Sequence, residues 1–248
     1  MIDRRGVLTG LGTALASAAV APRAAGADRP EATPETFAVL GTGRLGGTLG
    51  KRLAALGYPV IYGSRSPQSA SVTALLQDSG PRATAASHAV AVARAVVVVF
   101  ALPWDPVKDL LPQLGPLSGK LIIDPMNAKL NIVAGYPQRP DSTSSVAEQL
   151  QAWLPQARVV KAFNTILDKN LANPGRAGGP ISIPLAGADQ AAKQRVAQLV
   201  AQLGLDPVDT GPLIAARYIE DLLRFEVGYV IQNQGRKMFE LYMRPVPV

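Results

Sequence analysis

The chain has 248 residues, of which 48% are hydrophobic and only 17% charged, a globular composition that excludes an intrinsically disordered protein. It carries no cysteine and one histidine, which excludes disulfides, thiolate metal sites and thiol chemistry and argues against a histidine-built metal centre or a serine–histidine triad. The net charge of +7 is spread without a basic run, which suits a phosphorylated small ligand and speaks against nucleic acid as a partner.

Residues 1–27 read as a twin-arginine export signal: Arg4-Arg5 precede an apolar Ala/Gly-rich run to about Val20, and Ala25-Gly26-Ala27 is a small-x-small cleavage pattern. The expected location is therefore periplasmic or secreted; the alternative is a basic N-terminus on a cytoplasmic protein. The run is too short and too weakly apolar for stable membrane insertion. Residues 28–35 form a polar, Pro-bearing linker.

Thr36–Leu40 is a short apolar run that stops at Gly41, the pattern of a buried parallel strand. Arg44–Leu56 has apolar positions at helical spacing, with Gly57 as C-cap. Between them lies Gly41-Thr42-Gly43-Arg44-Leu45-Gly46, a G-x-G-x-x-G turn in its required strand–turn–helix setting. Gly41 permits the tight turn, Gly43 lets a pyrophosphate approach the backbone, and Gly46 lets helix pack on strand. The helix N-terminus and its N–H groups hold the phosphate, so Gly41, Thr42, Gly43, Arg44, Leu45 and Gly46 are candidate binding residues.

Tyr58–Tyr62 is a second strand, and the residue type at its end selects the nucleotide. An NAD site places a carboxylate there for the ribose hydroxyls. Here Gly63-Ser64-Arg65 offers a hydroxyl and a guanidinium, which suit a 2′-phosphate. The loop should therefore bind NADP(H), with Arg44 as a second cation above the adenine or beside that phosphate.

Gln68–Gln77 predicts a helix, Ala83-Thr84 a very short strand, and Ser87–Arg94 a third helix. That helix carries His88, read as structural or solvated and away from the carboxyl edge of the sheet. Val96–Ala101 is the clearest buried strand. Trp104–Leu114 is helical with Pro112 weakening its end, and Trp104 reads as a packing residue. Lys120–Asp124 is a strand, and Asp124 at its end either orients a loop or meets a ribose. Asn127–Ser144 is a long connection, a lid, an acceptor loop or a segment without a role. Ser145–Leu154 is a helix capped by Ser144 or Ser145, and Arg158–Phe163 a strand.

Leu167–Pro180 reads as a loop, followed by strand Ile181–Gly187, helix Asp189–Leu203 and strand Asp206–Thr210. Pro212 to about Met243 reads as a long amphipathic helical segment, broken or bent near Gly228 and Gly235, that could serve as a homodimer contact. On it, Glu220 and Arg224 have the spacing of a solvated ion pair. The alternation of strand and helix predicts an α/β fold, a Rossmann-type doubly wound parallel sheet over residues 36–211 with a C-terminal helical segment over 212–248.

Taken together, the glycine turn, Gly63-Ser64-Arg65, Ala101-Leu102-Pro103-Trp104 and Val159-Val160-Lys161-Ala162-Phe163-Asn164-Thr165-Ile166 resemble the NADPH-dependent reductases of the deazaflavin coenzyme F420. They are also similar to the soluble reductase domain of six-transmembrane metalloreductases and, at the N-terminal end, to pyrroline-5-carboxylate reductases. The resemblance implies hydride transfer between NADP(H) and F420 or a flavin as a small-molecule redox acceptor. It implies that Ala101, Leu102 and Pro103 lie beside the nicotinamide and that Ala162, Phe163 and Asn164 line the other side of the cleft. Asn127 and Asn164 are candidates for contacts with the carboxamide or the acceptor. No catalytic side chain and no metal is expected, because alignment of two rings in a dry cleft supplies most of the effect. Two alternatives remain open: reduction of another small acceptor, an imine or free flavin, and non-catalytic NADP(H) binding.

Overall fold

The computed structural model describes residues 35–138, 143–244 and 246. The expected export segment and most of the linker lie outside these residues.

The first half alternates regularly. β1 (Phe37–Leu40) leads through the glycine turn into α1 (Arg44–Ala55), and Gly57, just past that helix, takes φ +94°. Then come β2 (Val60–Gly63), α2 (Ala70–Ser79), β3 (Ala83–Ala86) and α3 (His88–Arg94), whose N-cap Ser87 accepts from the Val90 N–H. β4 (Val97–Phe100) is followed by α4 (Val107–Leu110). The helix expected over Trp104–Leu114 is shorter than its pattern. It starts after Pro106 and passes into a 3-10 turn, Leu111–Gln113, at Pro112, which lacks the N–H that an α-helix needs.

β5 (Leu121–Asp124) opens the long connection, which contains an antiparallel hairpin of β6 (Asn131–Val133) and β7 (Tyr136–Gln138). A complete capping box between Ser145 and Glu148 starts α5 (Val146–Trp153), and β8 (Arg158–Lys161) follows. The segment expected as a loop after Leu167 holds α6 (Asp168–Ala172) and a 3-10 turn, Pro174–Ala177. Last come β9 (Ser182–Gly187), α7 (Gln190–Gln202), β10 (Asp206–Asp209) and α8 (Ala216–Gln232).

The principal sheet has eight strands in the order β10-β9-β8-β5-β4-β1-β2-β3. The order reverses at β1, between β4 and β2, and this switch point is where a doubly wound sheet binds ligand. All pairings are parallel except β8 with β9. Between these two strands the chain holds only the 5-residue α6 and the 3-10 turn, and it returns antiparallel.

Side chains alternate across the sheet. Phe37 and Val39 face one apolar layer with Leu49 and Leu53 of α1 and Val196 and Leu199 of α7. Ala38 and Leu40 face the other, with Val92 of α3, Leu150 of α5 and Ile219 of α8.

The C-terminal segment departs from its expected form in two places. α8 runs through Gly228 unbroken, and Pro137 of β7 lies 3.6 Å from where a Cβ there would be. The helix stops before Gly235 (φ +71°), and the described chain beyond has no regular secondary structure, with the Ser182 N–H donating to Leu241 O at 2.8 Å.

Candidate functional site

The glycine turn sits at the carboxyl edge over the switch point. Gly41 takes φ +102°, and a Cβ there would lie 2.1 Å from Ala101 O. At Gly46 a Cβ would lie 2.2 Å from Gly41 O and 2.9 Å from the Ala101 Cβ. The turn itself demands both glycines. Gly43 differs: nothing lies within 4 Å of its Cβ position, and it caps α1 without a side-chain hydrogen bond. The space before this helix end is open to a ligand group, and the helix dipole favours an anion there.

Beside the turn lies a cavity of about 580 Å³ that brings together Gly41, Thr42, Ser64, Arg65, Leu102 and Pro103. Ser66, Ser69 and Ser71 join Ser64 in its wall, and the Ser66 N–H donates to Ser64 Oγ at 3.1 Å. Arg65 is exposed and has no ion-pair partner among the described residues. His88 lines the same cavity, which corrects the reading that placed it away from the carboxyl edge. The reason is topological. β3 is parallel to β2, so the first residue of the helix after β3 emerges at the carboxyl edge. Burial, and then the charge of Arg65, holds the imidazole below its ordinary pKa.

Arg44 is engaged elsewhere. Its guanidinium makes a bidentate pair with Asp168 of α6, Nη2–Oδ1 2.7 Å and Nε–Oδ2 3.1 Å. The pair is exposed and water-screened, and it joins the start of α1 to the segment after β8. Leu45 is half-buried behind it.

A second group of polar side chains lies at the ends of β5 and β8. Lys161, fully buried, contacts Asp124 Oδ2 at 3.1 Å and Glu220 Oε1 at 2.8 Å and also donates to Met126 O. The Glu220 Oε1 contact lies off the hydrogen-bond direction, so its attraction is Coulombic. Asp124 Oδ1 accepts from the Met126 N–H at 2.8 Å, and Glu220 Oε2 accepts from the Val146 N–H at 3.2 Å. Burial and then the Glu220 charge push Asp124 up, against the opposing pull of Lys161.

Next to this triad, the Asn164 Nδ2 donates to Asn127 Oδ1 at 3.0 Å and to Ile219 O at 3.2 Å, while Asn127 Nδ2 donates to Asn164 O. Asn164 is 6% exposed, and its Oδ1 has no hydrogen-bond partner among the described residues. Phe163, fully buried just past β8, takes φ +63°, a strained conformation for a bulky residue that costs about 1–3 kcal/mol and clusters at functional sites. Ala162 is fully buried, and its N–H donates to Asp124 O at 3.1 Å.

The solvated Glu220–Arg224 pair expected on α8 does not form. Glu220 is drawn into the core by Lys161 and does not pair with Arg224, whose Nη1 instead donates to Asp221. Glu226 is also buried, and burial with the nearby Glu240 charge pushes it up to about 8. The sequence held a signal for the triad: a lysine inside an apolar strand run must find a buried anion, and Asp124 ends the neighbouring run. Trp104 stacks on Trp153 with ring centroids 4.9 Å apart, the packing role expected of it.

Among the described residues there is no cluster of residues suited to a metal ion, and no helix is long and apolar enough to cross a membrane. Residues 36–128 match the family described as NADP oxidoreductase, coenzyme F420-dependent. A protein of Arthrobacter sp. FB24 proposed to be an F420-dependent NADP-reductase has 34% sequence identity; the match covers 85% of this chain and all of that one, with a TM-score of 0.76. The rat (Rattus norvegicus) metalloreductase STEAP3 is 31% identical over 195 residues, 78% of this chain, but the match spans only 37% of that protein's length. A reductive aminase from Aspergillus terreus in complex with NADPH shares the fold, with a TM-score of 0.58, 18% identity and coverage of 82% of this chain and 63% of its own. With the glycine turn, the doubly wound sheet and full coverage of the Arthrobacter protein all in agreement, the chain belongs to the family of coenzyme F420-dependent NADP oxidoreductases.

Proposed function

We propose that the protein transfers a hydride between NADP(H) and a deazaflavin or flavin-like acceptor. Family membership makes it an NADP-dependent oxidoreductase; the acceptor and the residue roles are our own reading. One observation carries it: the open space at Gly43 and the cavity of Ser64 and Arg65 lie side by side at the switch point, with no carboxylate on the turn after β2. These residues fit a dinucleotide whose pyrophosphate sits at the turn and whose 2′-phosphate sits at Arg65.

When bound, the nicotinamide supplies the hydride. Gly41, Thr42, Gly43, Arg44, Leu45 and Gly46 would hold the pyrophosphate, with Arg44 tied to Asp168. Ala101, Leu102 and Pro103 flank the nicotinamide, with Ala162 and Asn164 across the cleft. The unpartnered Oδ1 of Asn164 accepts from an amide or hydroxyl of the ligand, while Asn127 holds the Asn164 side chain in place.

The acceptor is tested by following NADPH oxidation with F420, with FMN, with a cyclic imine and with no acceptor. We expect turnover that depends on F420 or FMN. Turnover with the imine alone makes the protein a reductase of another acceptor. Tight NADPH binding without turnover makes it a non-catalytic binding protein. A second expectation concerns the turn. Gly43→Ala meets no atom within 4 Å and needs no unusual φ, so the melting temperature should stay within about 2 °C. The Kd for NADPH should rise about tenfold, or about 1.4 kcal/mol, because the added methyl stands where the pyrophosphate approaches. Titration of NADPH fluorescence measures it, and an unchanged Kd would place the phosphate elsewhere.

A further inference from the structure

The cavity beside the glycine turn holds one group that the reading above leaves unused. His88 opens α3 and packs on the end of β2, its Cδ2 3.1 Å from the Cβ position of Gly63. The contact places the imidazole at the strand end that leads into Ser64 and Arg65. It shares the cavity wall with both.

We propose that His88 joins Ser64 and Arg65 as a reader of the 2′-phosphate: on binding NADP(H) its imidazole takes up a proton from solvent and donates to the phosphate, so that preference for NADP(H) over NAD(H) rises as pH falls. The proposal rests on the reading that this cavity takes the 2′-phosphate.

The groups facing His88 explain why the proton arrives only with ligand. Arg65 faces it from the turn after β2 and repels a second positive charge. Asp109 of α4 lines the same cavity from its other wall. β1 and β3, the other strands packed on α3, present no charged side chain within their spans, and Arg94 lies at the far end of α3 itself. In the free protein burial and Arg65 therefore keep the imidazole neutral near pH 7. A bound phosphate carries about −1.5 to −2 charge and reverses the balance. An opposite charge at close range raises such a pKa by about 1–3 units. Affinity for NADP(H) is then linked to proton uptake between the free and bound midpoints, rising as pH falls through that window.

The chain has one histidine, so its imidazole can be followed without assignment in untagged protein by proton–carbon NMR. The titration is run free, with saturating NADP+ and with saturating NAD+. We expect a midpoint below the ordinary value of about 6.5 in the free protein, a rise of at least about one unit with NADP+, and no rise with NAD+. In His88→Gln, which keeps a donor but does not titrate, the NADP+/NAD+ affinity ratio should fall about tenfold at pH 6 and lose its excess pH dependence; the phosphate's own ionisation remains as the internal reference. A midpoint unmoved by NADP+, in a protein that still prefers NADP+, overturns the role of His88 and leaves the cavity as a phosphate site. Equal affinity for the two dinucleotides overturns the phosphate site and the role of His88 with it.

Discussion

Arg65→Asp is expected to raise the Kd for NADPH about thirtyfold or more, about 2 kcal/mol, and to leave the Kd for NADH unchanged or lower. Arg65 is exposed and has no ion-pair partner among the described residues, so its replacement breaks no contact of the fold. The melting temperature should hardly move. The loss comes from two sources: a charge-assisted hydrogen bond to phosphate, about 1.5–3 kcal/mol, disappears, and a carboxylate repels the dianion in its place. NADH has no phosphate to lose, and a carboxylate after the second strand is what NAD sites use to accept from the ribose hydroxyls. Fluorescence titration of both coenzymes decides the matter. Equal weakening of the two would mean that Arg65 supports the site generally and does not read the phosphate.

What the sequence disclosed depends on how local each requirement is. The glycine turn was legible because its demands lie within a few residues: a positive φ at Gly41, contact between Gly46 and Gly41 O, open space at Gly43. The place of Arg65 beside that turn is legible because the end of the second strand is fixed relative to it. His88 lies in the cavity wall, a place the same reasoning reaches only once strand order is known. A helix after a parallel strand begins at the carboxyl edge, and strand order brings β3 beside β2. The sequence pattern alone does not state that order. Arg44 and Asp168 lie 124 residues apart, and nothing at either position announces the other. For Glu220 the local rule misled: Arg224 stands at helical spacing, but a fully buried lysine on another element offers a stronger field in a drier place. Strand direction was hidden in the same way. The apolar runs of β8 and β9 look alike, and nothing in either announces that they pair antiparallel.

The largest effect on stability is expected for Lys161→Met. Methionine fills much of the volume of the lysine stem, so the change is mainly electrical. It leaves Asp124 and Glu220 buried and facing each other with no cation between them. Breaking a buried ion pair by removing one partner costs about 3–5 kcal/mol, a large part of the stability of a domain. At about 2–4 °C per kcal/mol, the melting temperature should fall by roughly 10 °C. The sign of the pH dependence is fixed by the same geometry. Burial and Glu220 already push Asp124 up, and only Lys161 and the Met126 N–H oppose them. Without the lysine its folded pKa rises further above the unfolded value. The deficit should therefore be greatest above neutrality and shrink as pH falls towards the carboxylate range, where both states hold the proton. Adding Asp124→Asn and Glu220→Gln to Lys161→Met removes the uncompensated charge and should recover part of the loss; urea unfolding between pH 5 and 8 measures all three steps. A deficit under about 1 kcal/mol at every pH would mean that water or a shifted side chain replaces the ammonium. The same triad holds Met126 and α8 around Asn127 and Asn164, so the expected deficit should be accompanied by slower acceptor turnover with the Kd for NADPH largely kept, because Ser64 and Arg65 lie on the other side of the switch point.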